Sequence, residues 1–234
     1  MYQLSYFDLF VSAIPAILVI LIFLKWQLET KTALYALSRM LLQLLVVGFF
    51  LTYIFRSENA FIVLLVLLIM LTVSSWIALR TIAEQRRSLY PQALISTLLG
   101  GGVSLLLVTQ FSLNISPWYQ AQTMIPLAGM IFAGAMNSIS IAAERLHSEL
   151  SRNVAVLEAR TMAFRAAMIP MVNSLFAVGL VSLPGMMTGQ ILSGIDPFVA
   201  ARYQIMVMFM LFGASGISAA SFLILYLRQE NKSC

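Results

Sequence analysis

Charged side chains are few in this chain, and none of them lies in its apolar runs. The nine acidic residues are Asp8, Glu29, Glu58, Glu84, Glu144, Glu149, Glu158, Asp196 and Glu230. The one histidine, His147, lies in a basic segment, and the one cysteine is the last residue, Cys234. A transporter driven by protons or sodium ions keeps an acidic or histidine relay inside the membrane. Such a relay is not expected here, because the acidic residues and the histidine lie outside the apolar runs. A tight hard-cation site is not expected within the runs either, because it needs several carboxylates.

Enzymatic chemistry is not expected either. A phosphate-binding loop needs glycines followed by Lys-Ser or Lys-Thr, and none of the three lysines follows a glycine. No Ser/His/Asp set, zinc-ligand spacing or carboxylate pair is apparent. The chain is therefore predicted to be no enzyme and to bind no cofactor. If it moves a solute uphill, another chain must supply the energy.

The most unusual segment is SLPGMMTGQILSGIDP, residues 182–197. A helix over residues 166–183 rises about 27 Å, nearly enough to cross a bilayer core. Proline removes a backbone donor and glycine loosens the chain, so a break is expected at Pro184 and Gly185. The apolar stretch that follows is too short to recross, which predicts a re-entrant or interfacial half-helix. Irregular backbone at membrane depth survives only inside protein or around a wet cavity.

This broken segment is the first candidate for a transport pathway or hinge, although a lid or oligomer contact without a ligand explains it equally well. Its candidate residues are Pro184, Gly185, Met186, Met187, Gln190 and Asp196. Three amides within apolar runs, Gln43, Asn137 and Asn173, are further pathway candidates. No metal site is assigned to the 14 methionines, because thioethers prefer soft ions and methionine is an ordinary gap filler.

Seven apolar runs without charged residues must position these side chains. They cover residues 9–24, 40–55, 60–79, 93–111, 123–143, 166–183 and 203–227. A helical crossing needs about 20 apolar residues; four runs fit outright and three reach that length with their flanks. Hydrophobic residues make up 61% of the 234 positions and charged residues 10%. We therefore predict an all-α polytopic membrane protein of about seven transmembrane helices, a single permease domain over residues 1–234. The alternative drops the first run and leaves six crossings.

The distribution of basic residues predicts the orientation. With the N-terminus outside, twelve of the fourteen lie inside: Lys25, Lys31, Arg39, Arg80, Arg86, Arg87, Arg145, Arg152, Arg160, Arg165, Arg228 and Lys232. Only Arg56 and Arg202 lie outside. Positive charge in short loops is retained in the cytoplasm, so the C-terminus is predicted to be cytoplasmic. This topology explains the net charge of +5 without a nucleic-acid partner.

The longest predicted cytoplasmic segment, residues 144–165, is ERLHSELSRNVAVLEARTMAFR. Apolar residues at helical spacing (Leu146, Leu150, Val154 and Leu157) predict an amphipathic helix that docks into a partner's groove. A solvated connector or an extension of the preceding helix explains the segment as well. As a coupling loop, its candidate residues are Glu144, Arg145, Glu149, Arg152, Leu157, Glu158 and Arg160.

Small residues interrupt three of the runs. Three glycines follow one another at residues 100–102, and further small residues crowd positions 129–135 and 213–220. Membrane helices associate by close packing, so these positions predict where helix backbones approach each other. A helix face that slides during transport is the alternative interpretation.

Three stretches resemble a known family: IPLAGMIFAGAMNSIS (125–140), RAAMIPMVNSLFAVGLVSLPGMMTGQILSGIDP (165–197) and YQIMVMFML (203–211). They are similar to the bacterial iron-export permease family, the Fet-type membrane subunit. Arg39, Gln43, Gly48 and residues 53–55 fit the family's second helix, so the resemblance covers most of residues 39–226. Plant aluminium-tolerance permeases, associated with nucleotide-sugar export, look similar.

The resemblance implies the membrane subunit of an ABC transporter in the bacterial inner membrane. It would form a permease homodimer in the lipid bilayer and work with a separate cytoplasmic ATPase that uses ATP. The exported solute would be iron, with a role in resisting iron-linked oxidative stress. The alternatives are export of another small solute such as a nucleotide sugar, a passive channel, or a membrane scaffold.

Two departures from the family pattern bear on these candidates. Family members carry a longer segment before RAAMIP, with a Leu-Gly-Ala-Thr/Ser-Pro stretch suited to contacting the ATPase, and this chain has no such stretch between Leu157 and Met162. The family also shows Gly-Asn-Ala/Ser-Met in its fifth helix. Here Gly134 is followed directly by Ala135, and Asn137 is the nearest amide.

Overall fold

Backbone amides in lipid must pair within their own segment, so apolar runs of this length are expected to form helices. The computed structural model describes residues 5–55 and 59–233, and every regular element in these residues is helical. The predicted all-α membrane-protein class is confirmed for this part of the chain. The chain divides at residue 56 into two compact units. The assignment of a single domain stays a prediction.

The first unit consists of α1 (Tyr6–Lys25) and α2 (Thr30–Ile54), joined by a short turn. A capping box begins α1: the Asp8 amide donates to Ser5 Oγ at 3.3 Å, and the Ser5 amide donates to Asp8 Oδ2 at 2.8 Å. No residue of α2 is buried. Such exposed apolar helices suit contact with lipid or with other protein.

The second unit begins with α3 (Ala60–Ala78), a 3₁₀ turn (Arg80–Gln85) and α4 (Arg86–Thr97). Two π-helical turns, Leu98–Gly102 and Leu107–Ser112, flank α5 (Val103–Leu106), so residues 86–112 form one helical segment. It continues with α6 (Ala121–Ser151), α7 (Val156–Ala177), α8 (Gly185–Leu192) and α9 (Pro197–Ser233). The two longest helices, α6 and α9, lie side by side, and α3, α4 and α7 pack against one or both.

A buried hydrophobic cluster lies at one end of this unit, where α3, α6 and α9 end and α4 and α7 begin. Leu79, Leu146, Phe222 and Tyr226 are almost fully buried there. Small side chains at the helix contacts admit these large ones: Ala142, Ala143, Ala159, Ala163, Ala167 and Ala219. This end also carries most of the unit's charged residues, and we name it the charged end.

Small residues bring helix backbones together, as their positions predict. A Cβ on Gly100 would lie 2.6 Å from the amide nitrogen of Ser218 and 2.7 Å from the carbonyl oxygen of Ala214. A Cβ on Gly134 would lie 3.1 Å from Ser215 Oγ. The π-helical turn at Gly100 therefore touches the backbone of α9 directly. The close-packing interpretation is confirmed at these positions.

Six helical segments of the described residues are long and apolar enough to cross a membrane: Phe7–Lys25, Thr30–Ile54, Ala60–Ala78, Arg80–Ser112, Ala121–Ser151 and Pro197–Gln229. The predicted helix over residues 166–183 is wrong in its bounds, because α7 begins at Val156 and ends at Ala177. The charged residues in the first half of α7 were assigned to a loop. The number of crossings and their orientation stay predictions.

The segment predicted as a loop, residues 144–165, is mostly helical. Since α6 continues to Ser151 and α7 begins at Val156, only residues 152–155 connect them. The Val154 amide donates to the Glu149 carbonyl at 3.2 Å, and Asn153 adopts a φ of 60°. The single amphipathic helix predicted within this loop is corrected to a tight helix–turn–helix formed by the end of α6 and the beginning of α7. Extension of the preceding helix, which the sequence left open, is right for residues 144–151.

Candidate functional site

The chain breaks after α7, seven residues before the predicted position. The Gly179 amide donates to the Ser182 carbonyl at 3.0 Å, and the Ser182 amide donates to the Ala177 carbonyl at 3.1 Å. Gly179 has a φ of 85°, which favours glycine. The break expected at Pro184 and Gly185 is therefore displaced to Gly179, and those two residues begin the next helix instead.

The short helix α8 is the half-helix that the sequence predicts, and it ends at Leu192. Pro184 stands just before its first residue, Gly185, where the absence of an amide proton costs nothing. Thr188 Oγ1 donates to the Pro184 carbonyl at 3.1 Å. Gly194, with a φ of 92°, follows the last turn and lets the chain reverse. The half-helix therefore covers Gly185–Leu192, and its depth in the membrane stays a prediction.

Asp196 forms hydrogen bonds at the beginning of α9. Its Oδ1 accepts from the Phe198 amide at 2.9 Å and from the Val199 amide at 3.2 Å. Pro197 follows at the first helical position, where proline is favoured. Asp196 therefore caps α9, which explains an acidic residue here without a transported ion.

Amide and thioether groups meet on α8. Met186, Met187 and Gln190 are half-buried, and Gln190 Oε1 lies away from solvent without a hydrogen-bond partner among the described residues. On α9, which α8 packs against, Gln204 is 6% exposed, and its Oε1 is likewise unpaired in this part of the chain. An unpaired buried acceptor is costly, so both oxygens favour a donor-bearing occupant.

Gln204 was missed as a candidate from the sequence. It is a lone amide within the apolar run of α9, and its spacing to Gln190 carries no helical signal because a turn lies between them. A rule that flags every amide in an apolar run would have found it. Gln204, in the first turns of α9, is a further pathway candidate because it is a buried amide.

The three other candidate amides are exposed side chains. Asn137 on α6 and Asn173 on α7 are exposed. Gln43 belongs to α2 in the first unit and is exposed as well. Their role as pathway residues stays a prediction.

At the charged end, the candidate coupling residues separate into buried and exposed groups. Glu149 is 3% exposed, and its carboxylate pairs with the Arg145 guanidinium at 2.6 Å. Exposed members of the set are Glu144, Arg152, Leu157, Glu158 and Arg160. Of the predicted apolar stripe, only Leu157 stays outward, at 68% exposure, because Leu146, Leu150 and Val154 belong to the core.

Polar contacts also join distant segments at the charged end, and no sequence pattern predicts them. The Tyr226 hydroxyl on α9 donates to Gln85 Oε1 at 2.8 Å. Gln229 bonds to Ser88 and Gln92, one helical turn further along α9. These pairs are 137–141 residues apart in the chain, so only the tertiary fold brings them together. They tie the end of α9 to the beginning of α4.

An aromatic contact extends these ties to α3. The Arg86 guanidinium donates to the Trp76 carbonyl at 2.9 Å from Nε and 2.7 Å from Nη2. It also lies 4.0 Å from the centre of the Trp76 ring. Such a cation–π contact adds to the hydrogen bonds and holds the bend between α3 and α4.

His147 is exposed and borders a cavity of about 310 Å³. The other lining residues are Thr81, Ile82, Ala83, Glu84 and Gln85. Among the described residues, no three His, Cys, Asp or Glu side chains come close enough to hold a metal ion together. The donor groups near α8 are amides and thioethers, which make a poor resident site for a hard cation.

The chain is similar to known membrane proteins. The family model described as "Uncharacterised protein family (UPF0014)" matches residues 6–162 and 151–230. The two matches overlap at residues 151–162, which include the turn between α6 and α7. No solved structure matches the chain.

Three relatives are similar over most of their length. A UPF0014 membrane protein of Synechocystis is 42% identical over 207 residues, covering 80% of this chain and 79% of the relative. An Escherichia coli protein named as a probable iron export permease, FetB, is 36% identical over 83% of this chain and 79% of its own. The Arabidopsis thaliana protein ALUMINUM SENSITIVE 3 is 32% identical over 79% of this chain and 72% of its own.

Proposed function

Because the chain belongs to the UPF0014 family of membrane proteins, we propose that it is the membrane subunit of an ABC exporter that carries iron out of the bacterial cytoplasm. It works as a homodimer with a separate ATPase in the inner membrane. The similarity to a protein named as a probable iron export permease supports the substrate. A nucleotide sugar or another small solute is the alternative cargo, and a passive channel or a scaffold is the alternative mode of action.

The placement of charge supports an external energy source. Acidic residues of the described part lie at or near helix ends, as Asp8, Glu149 and Asp196 illustrate. A proton or sodium relay needs ionisable groups within the membrane span. The chain's 234 residues also hold no phosphate-binding loop. ATP hydrolysis on a partner chain is the energy source consistent with both observations.

The helix–turn–helix of α6 and α7 is the observation that carries the coupling proposal. Its inner side is fixed by Leu146 and by the Arg145–Glu149 pair, while Leu157 and Glu158 stay exposed at the beginning of α7. A helix–turn–helix that is anchored by buried contacts and carries an exposed apolar residue among charged ones suits docking into a groove on an ATPase. A movement of the ATPase would then pass directly into α6 and α7.

Co-purification with the P-loop ATPase of the same organism tests the coupling surface. We expect Leu157→Glu to lower ATPase retention about tenfold, the effect of losing a contact worth about 1.4 kcal/mol. Leu180→Glu is the matched control, because Leu180 is 91% exposed in the turn after α7, at the other end of that helix. Equal retention by Leu157→Glu and wild type would exclude docking at this turn.

Transport in proteoliposomes tests the mode of action. With the ATPase and ATP, we expect iron efflux that stops when the ATPase lacks its P-loop lysine. Met187→Ala and Gln190→Leu are expected to lower efflux without lowering membrane abundance. Solute movement by the permease alone would favour a channel, accumulation driven only by a pH or sodium gradient would contradict the ATPase proposal, and unchanged efflux in both variants would remove α8 from the pathway.

A further inference from the structure

A groove of about 400 Å³ runs between α7 and α9 near the charged end. Arg160, Thr161 and Phe164 line it from α7, and Ala220, Leu223 and Ile224 line it from α9. One cation and one hydroxyl therefore border a mostly apolar channel. The aromatic ring of Phe164 is 37% exposed and Ile224 is 45% exposed, so the groove is open along its apolar wall.

The antiparallel register of the two helices orders the groove from polar to apolar. A Cβ on Gly216 would lie 3.6 Å from Met168 Cε, so the helices close on each other at that level. Phe164 precedes Met168 by one turn, and Arg160 precedes Phe164 by another. Arginine therefore stands at the mouth, and the apolar part leads toward the middle of the helices.

A second arginine follows on the same stripe of α9. Ala220, Ile224 and Arg228 are spaced by four residues, which places them on one face of a helix. Arg228 is exposed and lies about 6 Å beyond Ile224 along the axis, toward the charged end. Arg228 therefore continues the α9 face that carries Ala220 and Ile224, toward the charged end where Arg160 also lies.

Among the side chains that the structure describes, no acidic group forms an ion pair with the arginine at this mouth. Arg160 is exposed, and it forms no ion pair within the described side chains; the pair found there joins Arg145 and Glu149. Glu158, the nearest acidic residue along α7, points about 200° around the helix from Arg160. An anion is the complementary occupant of such a mouth.

We propose that this groove binds an anionic phospholipid, with its phosphate on Arg160 and Arg228 and an acyl chain along Phe164, Ala220 and Ile224. Basic pockets between transmembrane helices at the headgroup level recognise anionic lipids in this way. The long arginine side chains keep their charge at the interface while their stems cover apolar surface. The proposal concerns lipid binding and does not depend on the proposed transport function.

Native mass spectrometry of the full-length protein in detergent tests this site. With phosphatidylglycerol and phosphatidylcholine added in equal amounts, we expect at least one phosphatidylglycerol to be retained in preference. Arg160→Gln should weaken that retention about fivefold, and the double variant with Arg228→Gln further, as expected for one charge contact each. Arg87→Gln is the matched control, because Arg87 is an exposed arginine at the same end, on α4.

A second variant separates the acyl chain from the headgroup. Ala220→Trp fills the groove but leaves both arginines in place, and it should also lower phosphatidylglycerol retention while the melting temperature stays near that of the wild type. Equal retention of the two lipids, unchanged retention in Arg160→Gln, or an equal loss in Arg87→Gln would overturn the proposal. So would displacement of the lipid by water-soluble glycerol phosphate, which would indicate a phosphate site without an acyl chain.

The partner ATPase provides the remaining control, because Arg160 also belongs to the candidate coupling set. If Arg160→Gln loses the ATPase yet keeps phosphatidylglycerol, the arginine serves docking and the lipid proposal is overturned. If it loses the lipid and keeps the ATPase, the lipid proposal holds whatever the outcome for transport.

Discussion

At the scale of single residues, Gly100 is the position with the least room for change. Its missing side chain lets a π-helical turn reach the backbone of α9, where a Cβ would meet the Ser218 amide and the Ala214 carbonyl at less than 3 Å. Backbone atoms cannot rotate away as a flexible side chain can. The close approach leaves no room for a Cβ at this position.

We expect Gly100→Ala to destabilise the protein by about 1–3 kcal/mol, the usual cost of overpacking. Gly102→Ala is the matched control in the same glycine triplet, because its Cβ would meet only the flexible Leu98 side chain, at 3.0 Å. Thermal unfolding in detergent measures both. Equal stability of the two variants would show that α9 can move aside at Gly100.

Tyr226 supports a second residue-scale prediction. It is 1% exposed, and its hydroxyl donates to Gln85 Oε1 at 2.8 Å. Removing the hydroxyl leaves a partly buried acceptor without this donor, at a cost of about 1–3 kcal/mol. We expect Tyr226→Phe to show this loss in the free energy of unfolding.

A double-mutant cycle isolates that hydrogen bond. In a Gln85→Met background, Tyr226→Phe should cost clearly less than in the wild type, because the acceptor is already absent. Additive losses would mean that Tyr226 stabilises α9 through its other contacts and not through Gln85.

At the scale of helices, Asp196 distinguishes a capping role from a pathway role. Both amides that it accepts from, those of Phe198 and Val199, belong to the first turn of α9. We expect Asp196→Ala to destabilise the protein by about 1 kcal/mol, while Asp196→Asn, which also caps, stays near the wild type. Thermal unfolding measures stability, and iron efflux measures function in the same preparations. Loss of efflux in the stable Asp196→Asn variant would restore the carboxylate to the pathway.

The observed helix ends can be compared with those that the sequence predicts. Proline at position 184 predicted a break, and a short helix does follow it. The turn itself falls at Gly179, within an apolar run, where no proline or polar cluster marks it. The charged residues of residues 144–165 suggested a loop, yet alanine and leucine with helical spacing let α6 and α7 continue through it. Hydropathy reports which residues avoid lipid and does not report where a helix ends.

At the scale of the whole molecule, the distribution of arginine and lysine predicts a cytoplasmic C-terminus. Cys234, the only cysteine in the sequence, allows a direct measurement. A membrane-impermeant maleimide should label Cys234 only after the cells are permeabilised. Ser116→Cys, introduced together with Cys234→Ser, should be labelled in intact cells, because Ser116 is exposed in the connection that leads to α6. The opposite pattern would invert the topology and place the charged end outside.

The sequence alone determines that this is an all-α membrane protein. Long apolar runs without charge can satisfy their backbone in lipid only as helices, so the membrane class follows from residue order. The small-residue stretches likewise indicated close packing, since nothing but a small side chain admits another backbone. Gln190 is a candidate from the sequence because it is an amide in the broken segment, and its role in a pathway stays a prediction.

Only the tertiary structure decided which side chains meet. Gln85 and Tyr226 are 141 residues apart in the chain. Arg160 on α7 and Ile224 on α9 line the same groove, although α7 and α9 are not consecutive helices. It also decided that Leu146 is core while Leu157, three turns later on the same predicted stripe, is surface. The physical reason is that periodicity defines the faces of one helix, whereas contact and burial depend on the helices that pack against it.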